Sequence, residues 1–251
     1  MTNLRLYWLD PADPDAGFPD PGLALHQPNG LLAMGGDLSP TRLVNAYRRG
    51  IFPWYNPEES ILWWSPDPRA VFATDAVHVS RRLARIIRQA DFAVTLDTDF
   101  SAVLDGCAAP RGHNPGTWLG SDMRAAYRAL HQRGLAHSIE FWRHGQLAGG
   151  LYGVALGRVF YGESMFSRQP NASRICLTLL ARQLARWGFP IIDGQVGSPH
   201  LYRMGAFDMP RTEFLDLVRR YGSQPMPAGP WQFDLSVPAG RVHLPDHAVN
   251  D

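Results

Sequence analysis

The chain of 251 residues is 45% hydrophobic and carries a formal net charge of +1. That is enough apolar matter for one large domain, or a small domain beside a medium one, and too little charge to pull the whole molecule onto nucleic acid; any RNA contact must come from a local patch. Its basic residues are all Arg, and its two cysteines, Cys107 and Cys176, are far apart without a Cys-x-x-Cys partner, which excludes lysine nucleophiles, Schiff bases, a disulfide framework and a zinc knuckle.

The first residues lack the apolar stretch of a signal peptide, and no run nears the ~20 apolar residues of a membrane span. A soluble, cytoplasmic protein without membrane contact is expected. Residues 1–38 are rich in Pro and Gly, and Phe18-Pro19-Asp20-Pro21 reads as extended or turning. Ser39-Pro40 then opens a helix, with Ser as cap and Pro in the first helical position. Leu43, Ala46 and Tyr47 share one face of it, and Gly50 ends it. Two aromatic stretches follow, Ile51-Phe52-Pro53-Trp54-Tyr55 and Ile61-Leu62-Trp63-Trp64-Ser65. Rings interleaved with Pro read first as the core of a small unit short of aliphatic residues, with Trp54 the one expected to stand out as a stacking surface.

Near residue 68 the texture changes. Ala70 to Ala73 reads as a strand. Ser80 caps a helix on which Arg81, Arg85 and Arg88 repeat at i, i+4 and i+7, with Leu83, Ile86 and Ile87 opposite. No acids are interleaved with these arginines. Such a stripe is commonly a solvated face; its self-repulsion also suits a phosphate backbone. Phe92 to Leu96 predicts a strand and Phe100 to Cys107 a short helix. Ser121 is expected to cap another helix, with Met123, Tyr127 and Leu130 inward.

From Ser138 a meander of three antiparallel strands is expected, Ser138–Trp142, Leu147–Ala155 and Val159–Glu163, joined by tight turns. Gly149, Gly150 and Gly153 thin the middle strand, as where a ligand lies against a sheet. A helix over 172–187 and a strand over 191–196 follow. Two strands are interrupted by polar residues: Val-Phe-Tyr-Gly-Glu-Ser-Met-Phe-Ser at 159–167 and Ile-Ile-Asp-Gly-Gln-Val at 191–196. Strand, helix, strand, with polar groups where apolar ones belong, marks a site on a sheet. Phe214 to Tyr221 predicts a last helix, and a Pro-rich tail closes the chain.

These elements predict an α/β fold of the α+β kind. Residues 1–67 form a small N-terminal domain. Residues 68–251 form a mixed-sheet domain resembling the acetyl-CoA-dependent N-acetyltransferases, with the tail attached. Those enzymes hold a pyrophosphate on a Gly-rich loop at a helix N-terminus. Here the matching segment, residues 166–173, lacks such glycines, and Pro170 removes a donor. Coenzyme A is therefore not the expected carrier.

A narrower resemblance rests on motifs in a fixed order. They are Asn29-Gly30-Leu31-Leu32-Ala33-Met34-Gly35-Gly36-Asp37-Leu38-Ser39-Pro40, Arg49-Gly50-Ile51-Phe52-Pro53-Trp54, Leu62-Trp63-Trp64-Ser65-Pro66-Asp67-Pro68-Arg69, Gly116-Thr117-Trp118, Ala136-His137-Ser138-Ile139-Glu140, Gly149-Gly150-Leu151-Tyr152-Gly153-Val154 and Gly162-Glu163-Ser164-Met165-Phe166-Ser167. Together they are similar to the bacterial leucyl/phenylalanyl-tRNA–protein transferases over residues 18–215. The resemblance implies an aminoacyltransferase. It would move Leu or Phe from aminoacyl-tRNA to the α-amine of proteins beginning with Arg or Lys, tagging them for degradation as N-degrons. It further implies no cofactor and no metal; a monomer is expected. Gly194 stands where some relatives carry Cys, so a thiol there is dispensable.

An aminoacyl ester is already activated, and an α-amine titrates near ~8, so holding amine and carbonyl in line supplies much of the rate. On this reading Asp193 is the candidate base and Gln195 the donor to the oxyanion or the amine. Glu163 would hold the acceptor amine. Leu151, Phe160, Met165 and Ile192 would line the aminoacyl side-chain pocket. Trp54 and Trp118 would flank the terminal adenosine, and Arg81, Arg85 and Arg88 would follow tRNA phosphates. Two other readings compete. One is an acyl-CoA-dependent N-acyltransferase; the other is a non-catalytic RNA- or peptide-binding module. Ser164 lacks the final glycine of Gly-x-Ser-x-Gly and is not read as a nucleophile.

Overall fold

A computed structural model describes residues 6–89, 91–110 and 117–237. Gly116 of the Gly-Thr-Trp motif and the last 14 residues of the tail (238–251) lie outside them. A first sheet holds β1 (Tyr7–Leu9), β2 (Leu31–Gly35), β3 (Phe52–Pro53) and β4 (Leu62–Trp64), in the order β1-β2-β4-β3. Helix α1 (Pro40–Tyr47) starts as its sequence predicts: the Ser39 side chain accepts the Arg42 N–H, and Leu43, Ala46 and Tyr47 are buried. The strands of this sheet are too short to leave a periodic signal, so the sequence reading missed them. The fully buried Arg42 of α1 ties down the segment after β1: its guanidinium meets Asp37 at 3.2 Å and donates to the Ala16 carbonyl at 3.0 Å and the Asp10 carbonyl at 2.8 Å.

The second sheet has seven strands: β5 (Arg69–Ala73), β6 (Ala93–Leu96), β7 (Ala136–Arg143), β8 (Gln146–Leu156), β9 (Val159–Ser167), β10 (Ile191–Gln195) and β11 (Phe207–Met209). Their order is β11-β5-β10-β9-β8-β7-β6. All its described pairs are antiparallel except β9 with β10. That pair is parallel because a helix crosses between them. The remaining helices are α2 (Arg81–Gln89), α3 (Phe100–Ala108), α4 (Ser121–Gln132), α5 (Ala172–Arg186), α6 (Pro199–Arg203) and α7 (Arg211–Tyr221). Ser121 is the first helical residue of α4, with Gly120 as its cap.

Two layers cover this sheet. One face packs on α1, α3, α4 and α7 through Tyr47, Phe100, Tyr127 and Phe214; its core runs on into the first sheet through Trp63. The other packs on α2 and α5 through Leu83, Ile175, Leu180 and Leu184, with Trp231 of the tail added. Alternation along the strands sends Tyr161 and Val71 to the first face, and Phe160, Ile192 and Phe72 to the second.

The glycines of β8 do not receive a ligand. A Cβ at Gly149 would come within 2.4 Å of the Ala172 Cβ, and one at Gly153 within 2.2 Å of the Tyr161 carbonyl. Neighbouring protein already occupies that space, so these glycines serve close packing.

Candidate active site

Strands β9 and β10 pair from Val159–Ile191 as far as Tyr161–Asp193, and no further. Beyond that point two irregularities turn the strands apart. In β9, Gly153 faces Gly162 while its neighbour Tyr152 faces Ser164, so Glu163 is an inserted residue. In β10, Val71 faces Asp193 and Ala70 faces Gln195, so Gly194 is inserted. Bulges re-aim side chains in this way. Gln195 takes a left-handed backbone, φ 62°, that non-glycine residues seldom adopt. The two strands are then joined by side chains alone: Gln195 Nε2 donates to Glu163 Oε1 at 3.0 Å.

Glu163 is the convergence point. Tyr47 from α1 donates to its Oε1 at 2.8 Å, and Tyr127 from α4 donates to its Oε2 at 2.6 Å. Burial pushes its carboxyl up to about 7, against the pull of these three donors. Burial, and then the Glu163 carboxylate, raise both tyrosines, which therefore stay protonated as donors. Tyr47 is itself held: its backbone carbonyl accepts from Tyr161 Oη at 2.7 Å. A carboxyl group that titrates near neutrality, at the parting of two strands, is suited to taking and giving a proton.

Asp193 is differently placed. It is fully buried, and Arg69 grips both its oxygens, Nε to Oδ1 at 2.8 Å and Nη2 to Oδ2 at 2.6 Å. Oδ1 also accepts the Gln195 backbone N–H at 2.8 Å, closing the turn that aims Gln195. Arg69 donates as well to the Gly50 carbonyl at 3.0 Å and lies between the rings of Phe52 and Phe214. With both oxygens engaged and no exposed surface, Asp193 anchors Gln195 and has no open face for a substrate amine. The base expected at Asp193 thus falls on a carboxylate with no exposed surface, held by Arg69.

The four residues expected to line an aminoacyl pocket share one core cluster on the α5 face of the sheet. Leu151 and Met165 face each other across β8 and β9, beside the parting of the strands, and Met165 is partly buried. Ile192 lies one residue before Asp193. Phe160 is fully buried, its ring 6.0 Å from that of Trp231, and Leu151 and Ile192 are buried as well.

Trp63 is fully buried, whereas Trp54 is 43% exposed and tilts against Trp64 at 5.7 Å. Trp118 lines a cleft of about 620 Å3 together with Leu38, Tyr55 and Ile61. Tyr55, the chain neighbour of Trp54, lines the same cleft. Arg81, Arg85 and Arg88 are exposed along α2, as the spacing predicts. They lie with α2 on the α5 side of the sheet, whereas Tyr47 and Tyr127, the partners of Glu163, belong to the core of the opposite face. Among the described residues, no group of three or more His, Cys, Asp or Glu could hold a metal ion, and no helix is long and apolar enough to cross a membrane.

Three partners escaped the sequence reading as site residues. Tyr47 and Tyr127 sit on apolar helical faces, where a ring reads as core; their signal was the phenol, which needs a partner when buried. Arg69 opens an apolar strand, and a lone charge there signals a buried counter-charge.

The model of the family described as leucyl/phenylalanyl-tRNA protein transferase matches residues 71–219, and that of its N-terminal domain matches residues 36–67. The leucyl/phenylalanyl-tRNA–protein transferase of Alkalilimnicola ehrlichii is 55% identical over 240 residues, covering 95% of this chain and 93% of the relative. That of Pseudomonas aeruginosa is 53% identical over 228 residues, 91% of this chain and 100% of the relative. Among solved structures, a conserved protein of unknown function from Bacteroides thetaiotaomicron is 12% identical with a TM-score of 0.38, covering 55% of this chain and 53% of that one. With two family models matched in order and relatives above half identity across nearly its whole length, the chain belongs to the leucyl/phenylalanyl-tRNA–protein transferase family.

Proposed function

We propose that this enzyme transfers leucine or phenylalanine from aminoacyl-tRNA to the α-amine of proteins beginning with Arg or Lys, in the cytoplasm, marking them for degradation. The observation that carries the reading is the Glu163 carboxyl, held by Tyr47, Tyr127 and Gln195 at the parting of β9 and β10, in a chain of this family.

In this reading Glu163 receives the acceptor amine and its proton. The amine nitrogen attacks the ester carbonyl; the N–C bond forms and the C–O bond to the terminal ribose breaks. The amine proton passes to Glu163 and then to the departing ribose oxygen. A carboxyl near 7 matches an amine near ~8, so neither transfer is steeply uphill. The Gln195 amide has a second N–H, which serves the developing oxyanion. Asp193 and Arg69 position Gln195. Leu151, Met165 and Ile192 form the wall against the Leu or Phe side chain. Trp118 and Tyr55, with Trp54 beside them, take the terminal adenosine. Arg81, Arg85 and Arg88 contact acceptor-stem phosphates. The enzyme is taken to act as a monomer.

The test is direct. The protein is incubated with Leu-tRNA, Phe-tRNA or acetyl-CoA and with peptides beginning with Arg, Lys or Ala. Transfer from both tRNAs to the Arg and Lys peptides, and none from acetyl-CoA, is expected. No transfer from either tRNA defeats the reading, and transfer from acetyl-CoA favours an acyl-CoA enzyme.

A further inference from the structure

We propose that a cavity beside Met165, lined by Arg168 and His200 and with Arg174 and Arg203 close to His200, binds the phosphodiesters of the single-stranded 3′ end of the donor tRNA. This rests on the aminoacyl-tRNA reading above and extends it to a site separate from the α2 arginines.

The cavity measures about 400 Å3. One wall is the end of β9, Met165 to Arg168; the other includes Gly106 and Ala109 at the end of α3, and His200 of α6 closes it. Met165 is thus shared between this cavity and the apolar wall assigned to the amino-acid side chain. Whatever fills the cavity sits next to the aminoacyl group.

Its charge is of one sign. Arg168 is steered by a bond from Nη1 to the Leu147 carbonyl at 3.1 Å and by the Phe166 ring at 5.3 Å. Arg174 reaches across to the Arg203 carbonyl at 3.4 Å. Burial and then the nearby charges of Arg203 and Arg174 lower the His200 pKa. Among the described residues, the ion pairs of the molecule fall elsewhere and none involves these four side chains. Clustered cations without carboxylates repel one another until an anion arrives, and Arg is the side chain best shaped for phosphate.

Position selects RNA as the source of that anion. The segment before α2 bonds to α6, with the His78 N–H donating to the Met204 carbonyl at 3.3 Å, and Leu201 and Met204 share a core with Leu83 of α2. The cavity and the α2 stripe therefore lie on neighbouring elements, consistent with one strand running from stem to terminal ribose. Contacts of this kind set register and affinity without reading sequence.

The experiment uses Arg203→Glu and Arg168→Gln with three donors: phenylalanyl-tRNA, the trinucleotide phenylalanyl-CpCpA, and phenylalanyl-adenosine, which has no phosphate. Each variant should raise KM for the first two about tenfold, leave kcat at saturation unchanged, and leave phenylalanyl-adenosine unaffected. The logarithmic salt dependence of tRNA binding should flatten by about 0.7 for each phosphate that is no longer neutralised. Arg203→Lys, which keeps the charge, should restore most of the affinity. Equal losses with phenylalanyl-adenosine would mean a structural role and overturn the proposal, as would unchanged KM with phenylalanyl-tRNA. Failure of the parent enzyme to use any donor overturns this inference and the functional reading together; parent-like variants overturn the inference alone.

Discussion

Replacing Asp193 by Ala tests the distinction between anchoring and catalysis. The substitution strands the Arg69 guanidinium, fully buried, with its Nε and Nη2 donors unanswered. Removing one partner of a buried ion pair costs about 3–5 kcal/mol, because the remaining charge stays out of water. For a chain of this size that lowers the melting temperature by roughly 6–20 °C. Arg69→Met alone should cost a similar amount, leaving Asp193 buried and charged. The pair Arg69→Met/Asp193→Leu strands no charge. Met can fill the slot between Phe52 and Phe214, where the guanidinium now lies 4.8 and 4.6 Å from the ring centres. That double variant should unfold within about 1–2 kcal/mol of the parent, far less than the two single losses added together. Urea titration followed by tryptophan fluorescence supplies the three differences. The refolded double variant should still be nearly inactive, since the Gln195 turn has lost its acceptor. Asp193→Ala unfolding within about 1 kcal/mol of the parent would refute the anchoring role. So would additivity of the two single losses.

Three further outcomes are expected. If Glu163 is the base, it must be ionised to act, so log kcat/KM should rise with pH and level above about 7; Glu163→Gln should remove that inflection and cost about 10²–10⁴ in rate, while Tyr127→Phe, which deletes a donor favouring the carboxylate, should move it upward. Glu140 is fully buried under hydrogen bonds from Ser138, Thr95 and the Thr98 N–H, and burial raises it from 4.5 to about 7. Across that window the folded chain keeps a proton the unfolded chain releases, so stability falls as pH rises from about 4.5 to about 7; Glu140→Gln in a Glu163→Gln background should flatten the fall in urea midpoint, and an unchanged slope would exclude Glu140 as its source. Gly153→Ala should destabilise by about 1–3 kcal/mol in the same titration, because its Cβ would press on the Tyr161 carbonyl at 2.2 Å and a Phe160 ring atom at 2.5 Å; a neutral result would mean that β8 and β9 separate readily.

Much of the scaffold is legible in the sequence because its signals are local. Ser39-Pro40 caps α1, the α2 arginines share an exposed face, and the meander over β7, β8 and β9 follows its turns. The site's address was legible as well: an acid inside β9, and an acid and an amide inside β10, are polar groups where a buried strand wants apolar ones. The short strands of the first sheet, α6 and β11 were not legible, since two to five residues carry too little periodicity to separate from loop. Nor could spacing reveal that Arg42 gathers the residues before it, because its acceptors are backbone carbonyls up to 32 residues away.

What the sequence alone determined, then, was most of the longer strands and helices, and that polar residues interrupt β9 at Glu163 and β10 at Asp193 and Gln195. What only the tertiary structure decided was the surroundings of each. Two bulges and a left-handed Gln195 set Glu163 and Gln195 face to face, and α1 and α4 bring Tyr47 and Tyr127 onto the same carboxyl. Asp193, of the same chemical type and 30 positions later in the numbering, is instead closed off by Arg69 from a strand 124 residues away. The charge state and reach of a carboxylate depend on burial and on its partners, and those come from segments that meet only when the chain has folded.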